Sequence, residues 1–79
     1  MKQYSTRYDT LGGVTFCGLK PNDESLAVAV KLWCKTKGFF YNEIRTSFGE
    51  DVFVDIHVFT KFVAKQVEEH LNLFGWQKD

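Results

Sequence analysis

"EIRTSFGEDVFVDIH", residues 43–57, holds two alternating runs on either side of a glycine and two acids. Both runs are rich in β-branched and aromatic residues, so they read as strands, with "GED" as the tip of a hairpin. Side chains in a strand alternate with period two, so the length of that tip decides which residues share a face. A two-residue loop would set Val52, Val54 and Ile56 opposite Ser47, Arg45 and Glu43. An odd loop instead aligns Phe48 with Val52, Thr46 with Val54 and Ile44 with Ile56. On the other face it pairs Arg45 with Asp55, Glu43 with His57 and Tyr41 with Phe59. The sequence therefore predicts the odd loop, which turns the valines and isoleucines inward and gives each charge a complement across the strands.

Outward from the hairpin, two helices are expected. The first covers 22–37: Asn22 is placed to cap it, Asp23 and Glu24 fall in the first turn, Lys35 and Lys37 in the last, and Gly38 terminates it. Leu26, Ala29, Val30, Trp33 and Cys34 form its apolar stripe at helical spacing. The second begins at Thr60, a capping residue, and runs to about Phe74 before Gly75, with Val63, Ala64, Val67, Leu71 and Phe74 facing inward. Phe62, Leu73 and Trp76 are left on its far side. "VTFCGL" reads as a strand feeding the first helix, and "QYSTRY" as its hairpin partner across "DTLGG". The expected architecture is a single domain, 1–79, of class α+β. It is a two-layer sandwich with an antiparallel or mixed sheet of three to four strands and two helices on one face, in the order ββαββα, or βαββα if the N-terminus is a loose arm.

The 79 residues are 44% hydrophobic and 16% aromatic, a globular composition, and such a chain buries only about 60% of its unfolded surface. Formal net charge is zero and the pI near 6.7, which favours neither a strongly basic nucleic-acid binder nor an acidic mimic. Cys17 and Cys34 match no zinc, haem or redox spacing and read as small core hydrophobes in a cytoplasmic protein. No apolar run approaches the roughly 20 residues of a membrane span.

No glycine-rich phosphate loop opens a helix, and no nucleophile has a base beside it, so the expectation is a protein that is not an enzyme and takes no cofactor. With both helices on one sheet face, the other is left to dock something. Phe39, Tyr41, Glu43, Arg45, Phe53, Asp55, His57 and Phe59 are the candidate residues there, aromatic groups around compensated charges of the kind enriched in recognition patches. The expected function is a small protein-binding module, an inhibitor, adaptor or regulatory subunit. Phe62, Leu73 and Trp76 are its candidate homodimer or second surface. A nucleic-acid binder stacking bases on the sheet aromatics is the alternative, opposed by the acidic hairpin. An enzyme or metal protein using Glu43, Asp55 and His57 is a weaker one.

Overall fold

The computed structural model describes residues 2–79. Its elements are β1 (Lys2–Tyr8), β2 (Val14–Gly18), α1 (Ser25–Lys37), β3 (Tyr41–Phe48), β4 (Asp51–Val58), α2 (Lys61–Leu73) and β5 (Trp76–Lys78). The five strands form one mixed sheet in the order β3-β4-β2-β1-β5, antiparallel throughout except for the parallel β1–β5 pair. The α+β class and the β1–β2 hairpin agree with the sequence reading. The fifth strand does not appear in that reading, since "WQK" is too short to carry a periodic signal and owes its conformation to the edge of β1.

The C-terminus of α1 and the N-terminus of α2 are built as the sequence predicts. Gly38 takes the left-handed conformation (φ 76°), so that the Phe39 amide reaches back to the Cys34 carbonyl at 2.9 Å. The Thr60 hydroxyl accepts the Val63 amide at 3.1 Å and caps α2. The start of α1 differs. Asn22 is not its cap: the residue sits at φ 60°, outside the helix, and its backbone and side chain both serve Val52. The Asn22 amide donates to the Val52 carbonyl, and the Asn22 Oδ1 accepts the Val52 amide, each at 2.9 Å. The helix therefore begins three residues later, where Asp23 Oδ1 receives the Ser25 amide.

The core lies between the two helices and one sheet face. Val14, Phe16, Tyr4, Val54, Ile56 and Val58 face Leu26, Val30 and Cys34 of α1 and Ala64, Val67 and Leu71 of α2. Burying each such aliphatic side chain contributes on the order of 1.5–3 kcal/mol. Trp76 belongs to this core and not to an oligomer surface: it is 7% exposed, opens β5 beside Lys2, and the Lys2 ammonium lies 5.4 Å from its ring. Gly75, at φ 85°, reverses the chain so that the indole turns inward. Phe62 and Leu73 do face solvent, at 69% and 83% exposure.

The hairpin register is the main correction. Phe48 pairs with Asp51, Ser47 with Val52, Arg45 with Val54, Glu43 with Ile56 and Tyr41 with Val58, so the loop has two residues, Gly49 and Glu50. Only the first of them has positive φ (62°), the pattern of a type II′ turn with glycine leading. Arg45 and Asp55 thus point to opposite sides of the sheet. β4 is an interior strand that receives apolar cover from β2 and the helices, so it does not need apolar partners from β3. Edge strand β3 then carries Glu43 and Arg45 along the flank of α1. Glu43 accepts from Lys31 at 2.6 Å and from Arg45 at 2.7 Å, and Arg45 also donates to Glu24 at 2.7 Å.

Candidate open-face site

Alternation dictates the composition of the uncovered face. Because Val14 and Phe16 turn to the core, Thr15 and Cys17 turn away from it, and so do their cross-strand partners. One row runs Arg7, Thr15, His57, Asn42 across the sheet, and the next runs Ser5, Cys17, Asp55, Ile44. Thr46 and Phe53 begin a third. Of the eight residues the sequence singled out, Phe53, Asp55, His57 and Phe59 belong to this face. Tyr41, Glu43 and Arg45 lie on the helix side, and Phe39 packs against the core. The pairings Arg45–Asp55, Glu43–His57 and Tyr41–Phe59 are not formed.

Asp55 sits at the centre. No helix covers it, yet it is only 7% exposed, and Cys17 and Thr15 beside it are equally shielded. It lines a shallow depression with Ser5, Arg7, Thr46, Phe48 and Phe53. Burial pushes its carboxyl above the usual carboxylate range, opposed by the Arg7 guanidinium at 3.2 Å. Burial, seconded by Asp55, also pushes the Cys17 thiol up, which keeps it protonated near neutral pH and unlike a nucleophile.

His57 is held by a different acid than expected. Its Nε2 lies 3.0 Å from Asp9 Oδ2, and its ring meets Phe59 edge-on at 4.8 Å between centroids. Asp9 is fixed in turn by accepting the Leu11 and Gly13 amides, each at 2.9 Å. The His57 contact, followed by the Gly13 amide, holds the Asp9 carboxyl below its ordinary value. Gly13 leaves room for this pair, since a Cβ there would stand 2.4 Å from His57 Nε2 and 2.7 Å from Asp9 Oδ2 and would displace them.

Arg7 and Asp9, the charges that face Asp55 and His57, escaped the sequence reading because they lie 48 residues away along the chain. The signal that could have found them was the alternation of β1 itself, which turns Ser5 and Arg7 away from the face that buries Tyr4.

Glu43, on the other side of the sheet, cannot join Asp55 and His57 as a third acid or ligand. Among the described residues no group of three or more His, Cys, Asp or Glu side chains is disposed to hold a metal ion. No helix among them is long and apolar enough to cross a membrane. The molecule is thus defined by its fold as a two-layer α+β sandwich with an open, ion-paired sheet face. The chain matches no protein-family model, no curated protein and no solved structure.

Proposed function

We propose that the chain is a non-enzymatic protein-binding module that docks a partner on the open sheet face, as an inhibitor, adaptor or regulatory subunit in the cytoplasm. The observation that supports this reading is Asp55, shielded on the open face and paired with the exposed Arg7, beside Phe48 and Phe53, with Ile44 and Phe59 also exposed on this face. Aromatic side chains and arginine are enriched where proteins meet, and a partner can bury the phenylalanines while meeting Arg7 at the edge of the contact. Phosphate is less well served, because Arg7 is the one guanidinium on the described face, against the carboxylates of Asp55 and Asp9.

The test is capture of partners from lysate by the tagged chain, with and without nuclease. Ser5→Arg, which fills the depression, and Phe59→Glu, beside His57 on the same face, are each expected to abolish capture, while Phe62→Glu leaves it intact. Loss with Phe62→Glu alone would move the interface to α2. Capture that disappears with nuclease would replace the reading by a nucleic-acid one.

A further inference from the structure

The two edges of the sheet are unlike. β5 is three residues long, the usual way to keep an edge from pairing with a stranger, whereas β3 is eight residues, contains no proline and pairs with β4 without a bulge. The two-residue turn fixes how β3 is oriented. A hairpin of this kind closes on a hydrogen-bonded pair, here Phe48 with Asp51, so the even-numbered residues of β3 direct their N–H and C=O groups to β4. The use of both Val52 backbone groups by Asn22, on the side away from β3, agrees with this phase. Tyr41, Glu43, Arg45 and Ser47 therefore direct their backbone groups outward, along the free edge.

Residues equidistant from Ile44 along that edge are chemically complementary: Phe40 matches Phe48, polar Asn42 matches polar Thr46, and acidic Glu43 matches basic Arg45. A two-fold axis through Ile44 and perpendicular to the sheet brings a second copy antiparallel and sets Glu43 opposite the other Arg45, and Arg45 opposite the other Glu43. On the open face Ile44 meets its own copy, Asn42 meets Thr46, and Phe40 meets Phe48. The two phenylalanines are 87% and 65% exposed in the single chain. Centring the axis one residue either way sets Glu43 against Glu43 or Arg45 against Arg45. Glu43 and Arg45 already join Lys31 and Glu24 within the chain, and the Ile44-centred register adds an opposite charge to that network from the copy, whereas either neighbouring register adds a like one.

We propose that β3 pairs with β3 of a second copy of this chain in that register, giving a symmetric dimer with a continuous ten-stranded sheet. The outward pairs 41–47, 43–45, 45–43 and 47–41 exchange two bonds each, about eight main-chain hydrogen bonds in all. The helices do not obstruct it: α1 packs mainly over β2 and β4, the two β4 strands lie three strand spacings apart, about 14 Å, and a helix with its side chains is about 10 Å across. The two open faces become one surface. The pairing stands on the edge alone and does not rest on the protein-binding reading.

Sedimentation equilibrium of the full chain over a concentration series tests it. The wild type is expected at twice the 9.2 kDa monomer mass at high micromolar concentration. Arg45→Glu and Glu43→Arg are each expected as monomers with unchanged circular dichroism. An equimolar mixture of the two is expected to recover the dimer, because acid again meets base at both positions. Ile44→Cys, oxidised with diamide, is expected to give a cross-linked dimer, whereas Thr46→Cys, whose copy lies elsewhere, is not. This last pair decides the matter if the charge variants fail to fold. A wild type that is monomeric throughout overturns the proposal, and so does a dimer that survives both charge reversals but is lost with Phe62→Glu, or cross-linking at position 46 in place of 44.

Discussion

Arg7→Ala isolates the electrostatics of the open face. The guanidinium is the main group opposing the burial that disfavours ionised Asp55, ahead of hydrogen bonds from Cys17 and Gly18, and the pair is lopsided: the Asp55 side chain is 10% exposed and that of Arg7 65%. A hydrogen bond between a buried charge and its partner is worth about 1.5–3 kcal/mol, but a partner this wet is screened toward the range of roughly 0–1 kcal/mol seen for surface pairs. A loss of about 1 kcal/mol at neutral pH follows, or about 5 °C in Tm for a domain of this size. The pH dependence gives the sharper signature. A carboxyl whose folded pKa is raised contributes stability that is fully present below its unfolded value and is lost as pH rises through the folded value. Removing Arg7 raises that folded value further, so the deficit of Arg7→Ala is expected at neutral pH and should vanish below the carboxylate range. In an Asp55→Asn background the same replacement should cost little. Urea unfolding followed by the fluorescence of Trp33 and Trp76, at neutral and acid pH, measures all four chains. A deficit that is equal at both pH values, or that persists beside Asn at position 55, would refute the reasoning.

Two further outcomes test the frame. Asn22→Ala loses the bond to the Val52 amide and strains a left-handed position, a combined cost of about 2 kcal/mol, while Asn22→Gly loses only the bond, about 1 kcal/mol; chemical denaturation should rank them in that order. His70 stacks on Trp33 at 4.1 Å between centroids, and burial, with Lys37 adding to it, pushes its pKa down. A depressed histidine contributes stability that is present above its ordinary value, about 6.5, and lost as pH falls through the folded value, so thermal melts should lose stability below about pH 6.5 and His70→Gln should flatten that slope.

The strands and helices themselves were determined locally. Thr60, Gly38 and Gly75 act within a few residues of where they stand, and the alternation of 41–48 and 51–58 needs no partner to be seen. Their ends and number were less secure wherever a remote group intervened, as Val52 does in drawing Asn22 out of the first helix and β1 in supplying a neighbour for Trp76–Lys78. The face each hairpin residue occupies was beyond the sequence for a related reason. Pairing valine with valine across the turn is right for a sheet of two strands, whose only apolar partners are each other. In five strands β4 is interior and is covered by Val14, Phe16 and the helices, so its partner is free to carry Glu43 and Arg45, and Asp55 and His57 turn to Arg7 and Asp9. Register is a property of the whole sheet, because the burial of one strand depends on which others lie beside it, and only the tertiary structure settles that order.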